Sequence, residues 1–259
     1  MGTDSLFTCA TLYGFLFTLA RISGVFAFLP LAAFRAGPDA SRIALSLACT
    51  VLLWHSWVVP GTTDLTIPRL VAGVANEMAL GLAIGLALAI ALEAFQFAAQ
   101  SVSLAAGLGY ASTIDPTSGA DSTVLLTTAQ IVAGLLFFVS GADRFLVKAL
   151  AESLRLCPPE SFTLHRTWGL AMIQFAGSIF GAGLRLAAPV IALLLLADAS
   201  LAVLGRVQSQ LHLVSLTMPL KLAATMILLA ATLALQPAFF ETRMTAFARL
   251  LEGLLRSAR

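Results

Sequence analysis

Six ionisable side chains sit in or at the edge of long apolar stretches of this chain: Arg21, Glu77, Glu93, Arg185, Asp198 and Lys221. Charges in such surroundings are costly and normally face a bundle interior, a partner charge or water. Two kinds of chemistry could use them. A proton or ion relay would need two acids on one helix face, whereas Glu77 and Glu93 are sixteen residues apart and the other charges are scattered. Structural pairing is therefore the favoured reading. His55, His165 and His212 lie in three unrelated contexts, so no metal cluster can be read from their spacing. No Gly-x-Ser-x-Gly elbow occurs, and Gly107-x-Gly109 lacks the strand–helix setting of a nucleotide fingerprint. The residues define no catalytic constellation and no cofactor site.

One segment differs from everything around it. Gly107-Leu-Gly-Tyr-Ala-Ser-Thr-Ile-Asp-Pro-Thr-Ser-Gly119 is small, polar and hinge-rich, between apolar Met78–Ala99 and Val124–Val139. Its backbone amides and carbonyls would find no partners in lipid, so it lines an aqueous cavity, is buried in protein, or is a surface loop.

The elements that position these residues are helices. Hydrophobic residues make up 59% of the chain and charged residues 11%, less than half the usual charged share of about 25%. Mean hydropathy is +0.95, which marks a membrane-class protein. Apolar runs cover Leu6–Phe34, Ile43–Val59, Met78–Ala99, Val124–Val139, Leu170–Leu204 and Met218–Leu235. A span needs about 20 apolar residues, so the pattern predicts an all-α, polytopic protein of about six hydrophobic segments. The fourth run is short, and the fifth is long enough to bend back on itself. The residues before the first run carry no Lys or Arg, unlike a cleavable signal peptide, so that run is expected to be retained. Under a six-span reading most Lys and Arg fall on one side, which places both termini in the cytoplasm. The net charge of +2, without a basic run, gives no reason to expect nucleic acid.

Cys9, Cys49 and Cys157 are odd in number and lack metal spacing, so they are read as small hydrophobes. Arg144, Lys148, Glu152 and Arg155 recur at helical spacing and predict a solvated, ion-paired helix face. Gly81-x-x-x-Gly85 and Gly177-x-x-x-Gly181 would permit close helix contacts. Leu184–Leu235 reads as a helical hairpin with a Gln-rich polar tip. Phe239–Arg259 is amphipathic, with Phe240, Met244, Phe247, Leu251 and Leu254 between Arg243, Arg249, Glu252 and Arg256. It would lie at the membrane interface or dock on a helix.

Several signatures fall in one order: Ala20-Arg21-Ile22-Ser23-Gly24 with Pro30, Glu77 before Met78–Gly85, the Gly107–Gly119 segment, Gly183-Leu-Arg185-Leu-Ala-Ala-Pro189, and Pro219-Leu-Lys221. This set resembles the FliR/SctT family of export-gate proteins, over roughly Leu12 to Leu255. The Gly-Tyr-Ala-Ser-Thr-Ile-Asp form of the loop looks closer to the flagellar FliR branch than to the injectisome branch.

The resemblance implies a non-enzymatic subunit of a type III protein-export pore in the bacterial inner membrane, within the flagellar basal body. The implied partners are FliP-like and FliQ-like subunits, FlhB-like and FlhA-like export components, and unfolded flagellar substrates in transit. It further implies one FliR-like domain, with kinked helical hairpins in a FliP-like portion (1–170) and a FliQ-like hairpin plus amphipathic helix (171–259). A pore plug would lie at 107–121, with Gly107, Gly109, Tyr110, Thr113, Asp115, Pro116 and Gly119 as its gate residues. The family often presents two aromatic residues there; Tyr110 keeps the first and Thr113 replaces the second. Arg21, Glu77, Arg185, Gln208, Gln210, Pro219 and Lys221 would serve assembly, with buried charges pairing between subunits. The competing reading from the residues is a small secondary transporter with its site at the break in 107–119, although inverted repeats and paired acids are not evident.

Overall fold

The computed structural model describes residues 9–29, 39–54, 57, 66–107, 124–159, 166–207, 213–232 and 235–257. The described residues form helices joined by turns: α1 (Cys9–Ala27), α2 (Asp39–Leu52), α3 (Ile67–Ala106), α4 (Val124–Val139), α5 (Ala142–Leu156), α6 (Arg166–Val207), α7 (Leu213–Thr232) and α8 (Gln236–Ser257). The expected all-α membrane architecture is what is observed.

Two helices dominate. α3 has 40 residues and α6 has 42, roughly 60 Å each at 1.5 Å per residue and about twice the hydrocarbon thickness of a bilayer. Among the described residues these two are long and apolar enough to cross a membrane. A third span results if the bent pair Leu126–Val139 and Ala142–Leu156 counts as one. Pro68 is tolerated near the start of α3 because first-turn amides have no intrahelical acceptor. The fifth apolar run does not bend back on itself. α6 carries Pro189 inside one continuous helix, where the missing amide costs a single bond to the carbonyl four residues earlier.

The chain divides into two compact units. The first comprises Met1–Ala91, Phe137–Ala176 and Arg243–Arg259; the second comprises Leu92–Leu136 and Gly177–Thr242. In the first unit α1 packs along α2, and its edge is fixed by Trp57. That indole sits edge-on to Phe15 at 5.3 Å and donates to the Thr50 carbonyl at 3.0 Å. The core gathers Phe17, Ile22, Val25, Leu80, Ile84, Leu150, Leu154, Trp168 and Phe247. Here α1 and α3 touch backbone to backbone. A Cβ on Gly24 would lie 2.6 Å from the Met78 carbonyl oxygen, and one on Gly85 would lie 2.5 Å from that of Val25. A Cβ on Gly81 would run into the Arg21 carbonyl. The Gly81/Gly85 spacing therefore marks a real crossing.

At Gly177 and Gly181, by contrast, no neighbouring element among the described residues comes within 4 Å of where a Cβ would be. The tight glycine on α6 is Gly183, whose Cβ would meet Phe97 at 2.7 Å and the Ala94 carbonyl at 2.8 Å. Spacing alone cannot say which small residue faces a neighbour.

α5 exposes Arg144, Lys148, Glu152 and Arg155, as its pattern predicts, and buries Leu146, Ala149, Leu150, Ser153 and Leu154. α8 docks on its own chain, burying Phe240, Phe247, Leu251 and Leu254. Arg243 departs from the expected polar face. It is buried, with its guanidinium carbon 5.1 Å from the Phe175 ring centroid. Three residues after Phe240 and four before Phe247, it shares their stripe. Burial lowers its pKa, yet a guanidinium stays charged and the ring face offsets part of the lost hydration.

Candidate functional site

In the first unit the charges at Arg21 and Glu77 are fully buried and meet each other. Arg21 Nε donates to Glu77 Oε2 at 2.6 Å, and Nη2 lies 2.5 Å from the same oxygen. The remaining guanidinium donors go elsewhere: Nη1 to Ser153 Oγ at 3.2 Å and Nη2 to the Cys157 carbonyl at 2.8 Å. Ser153 Oγ in turn donates to the Leu150 carbonyl at 2.8 Å. One planar fork thus ties α1 to α3, to α5 and to the turn after α5.

The local sequence explains why that turn offers an acceptor. Pro158 and Pro159 cannot continue the helix, and α5 ends at Leu156 with Cys157 outside helical geometry at φ −121°, ψ 83°. The last carbonyls of a helix lack intrahelical partners, so the Cys157 carbonyl is available to Arg21. Cys157 itself is buried, and its Sγ lies 3.7 Å from the Leu255 carbonyl of α8. The expectation of a small buried residue holds there, whereas Cys49 is only half-buried.

In the second unit Lys221 Nζ lies 2.9 Å from Asp198 Oδ2, with the lysine side chain 14% and the aspartate 39% exposed. Lys221 thus has an acceptor within its own chain. Ala224 and Leu228 of α7 pack against the cluster containing Val190 and Leu194 of α6. α6 and α7 also meet through the Asp198–Lys221 ion pair.

A second polar group lies between α3 and α4. Gln130 Nε2 donates to Gln96 Oε1 at 3.0 Å, and Gln96 Nε2 donates to Glu93 Oε2 at 2.9 Å. Glu93 stands out in the sequence by its charge; Gln96 and Gln130 carry a weaker signal, each a polar residue interrupting an apolar run.

The start of the polar loop is described. Gly107 follows the last residue of α3 at φ 79°, a left-handed conformation suited to glycine, and its N–H donates to the Leu104 carbonyl at 3.1 Å. α3 therefore stops by a helix-terminating turn at the predicted place. Gly109, Tyr110, Thr113, Asp115, Pro116 and Gly119 lie outside the described residues, as do Gln208 and Gln210. Arg185 is exposed on α6, and Pro219 falls within α7. Arg21, Glu77 and the Ser153–Cys157 end of α5 are thus brought together. Arg185 and Lys221 are not part of that cluster.

Among the described residues the arrangement pairs charges in place, Arg21 with Glu77 and Lys221 with Asp198. The sequence profile of the bacterial export proteins, family 1, matches residues 12–247. The chain belongs to that family. It is 30% identical over 231 residues to the flagellar biosynthetic protein FliR of Pectobacterium carotovorum subsp. carotovorum, covering 88% of this chain and 87% of that one. Against FliR of Escherichia coli (strain K12) the identity is 26% over 237 residues, covering 92% and 90%. The surface presentation of antigens protein SpaR of Shigella flexneri is 28% identical over 115 residues, 44% of each chain. The flagellar relatives match over nearly the whole length and the SpaR protein over less than half. This export-family chain is accordingly of the FliR type, as its Gly-Tyr-Ala-Ser-Thr-Ile-Asp loop suggested. Membership makes it a helical membrane component of protein-export machinery.

Proposed function

We propose that the chain is a structural subunit of the flagellar type III export gate in the bacterial inner membrane. In this reading it assembles with FliP-like and FliQ-like subunits, contacts FlhB-like and FlhA-like components, and lines a gated conduit for unfolded substrates. Residues 1–170 form the FliP-like portion and 171–259 the FliQ-like portion. The observation that carries the reading is the near full-length similarity to flagellar FliR proteins. Paired rather than reactive buried charges support it, since a scaffold needs charge neutralisation and a relay needs exchangeable protons.

Within that gate, the segment 107–121 is the plug. Gly107, Gly109 and Gly119 supply hinges, Pro116 stiffens the turn and biases Asp115 away from helix, and Tyr110 supplies bulk. The left-handed turn at Gly107 starts the segment where this reading requires it. The experiment is deletion of Gly107–Ser112 in a strain co-expressing the three gate subunits, with small-solute permeability and flagellin export measured together. A leaky complex of normal composition supports the plug. A tight one would place the seal elsewhere.

A further inference from the structure

One side of α3 is polar within an apolar run. Glu93, Gln96, Gln100 and Ser103 follow at intervals of three and four, and Gly107 continues the series at the end of the helix. In the second unit this side meets α4 through amide hydrogen bonds. The donors point one way, from Gln130 to Gln96 and from Gln96 to the Glu93 carboxylate, so the charged end polarises the chain. Gln96 is buried, while Glu93 and Gln130 are half-buried. Ser103 Oγ, also buried, finds no partner among the described residues.

The position of this link matters. Gln96 precedes the end of α3 at Ala106 by about 15 Å, and Gln130 follows the start of α4 at Val124 by about 9 Å, at 1.5 Å per residue. The two helices joined by Gln96–Gln130 are therefore those from which the segment 107–123 departs and to which it returns. The C-terminal part of α3 also packs through Ala98, Val102 and Ala106 against Ala187, Val190 and Leu194 of α6. Apolar contact of that kind is non-directional and tolerates rotation or sliding. Hydrogen bonds weaken steeply with misalignment, so the amides carry the directional information.

We propose that Glu93, Gln96 and Gln130 form a positioning clamp that fixes the spacing and rotation of the two helices bearing the plug, and so the seat of the plug in the closed pore. The clamp rests on the plug reading above. It also goes beyond it, because it assigns closure to residues outside the loop.

A polarity series at position 96 tests it. Gln96→Met keeps the length and removes both bonds. Gln96→Glu can still accept from Gln130 but faces Glu93 with a second carboxylate. Gln96→Lys can donate to Glu93 and, once the Gln130 amide turns over, to Gln130 Oε1. A clamp ranks lysine above methionine and glutamate, whereas a residue that only fills space ranks methionine first and lysine last. Small-solute permeability of cells expressing the three-subunit complex is measured per recovered complex, with wild type and the Gly107–Ser112 deletion as bounds.

The methionine and glutamate variants should lose the seal toward the deletion level while the lysine variant stays tight, with complex recovery unchanged. Should a position-96 variant not assemble, Gln130→Met removes the same link at a half-buried site and must also leak. A tight Gln130→Met or Gln96→Met complex, or a lysine variant as leaky as methionine, overturns the clamp while a leaky deletion leaves the plug standing. A tight deletion overturns the plug and the clamp with it.

Discussion

Arg21 shows how one side chain can hold several helices. Its fork meets a carboxylate, a hydroxyl and a helix-end carbonyl, all away from water. Removing one partner of such a buried pair leaves a bare charge and costs about 3–5 kcal/mol. Glu77→Leu should therefore lower the thermal unfolding midpoint of the purified complex or prevent its recovery. Arg21→Met combined with Glu77→Leu should regain part of the loss, since both charges are then gone. The regain should be incomplete, because the Cys157 carbonyl would still lack its donor. Equal loss in the single and double variants would show that the ion pair is not what matters. Lys221 is a milder case. With Asp198 partly exposed, Lys221→Met should cost only about 1 kcal/mol, seen as a small midpoint shift with export retained. Complete loss of assembly would instead point to a partner beyond Asp198.

At the scale of the element, the crossing of α1 and α3 depends on the absence of side chains. Gly81→Val would drive its Cβ and methyl groups into the backbone at Arg21. That backbone cannot yield as a flexible side chain would, and overpacking of this sort costs about 1–3 kcal/mol. Because the crossing also carries Arg21, the same change should disturb the Arg21–Glu77 pair. Gly177→Val, placed where no neighbouring element among the described residues comes within 4 Å, should leave the chain's own fold unchanged in the co-expressed complex. Comparing the two by limited proteolysis separates them. Rapid cleavage of the Gly177 variant but not of the Gly81 variant would reverse the assignment.

The whole molecule exposes more apolar surface than a free-standing protein needs. In the apolar window of α3 56% is buried inside the chain, but in that of α6 only 17%. Ile173, Phe180, Leu195 and Leu196 are each at least 59% exposed. Some of this surface faces lipid, and the remainder calls for neighbouring chains. The chain expressed alone in detergent should aggregate or be degraded, and co-expression with FliP-like and FliQ-like subunits should rescue a monodisperse species by gel filtration. A stable monomer indifferent to co-expression would contradict the proposed assembly.

Composition and periodicity by themselves determined the helical membrane class, because excluding backbone polar groups from lipid leaves few alternatives. Spacing also revealed the exposed face of α5, the buried stripe of α8 and the Gly81/Gly85 crossing, since each is a local repeat written at three or four residues. The order of short motifs from Arg21 to Lys221 carried the family, and the break after α3 was legible in its glycines. Only the tertiary structure decided which charge meets which. Arg21 and Glu77 are 56 residues apart, and no local rule pairs them. The Cys157 carbonyl is a backbone group that no residue type announces. The burial of Arg243 is not legible locally, because it depends on an aromatic face from a distant helix. Among the glycines of α6, contact selected Gly183 over Gly177 and Gly181. A helix pattern fixes which residues share a face, but the neighbour against that face is set by packing between distant segments.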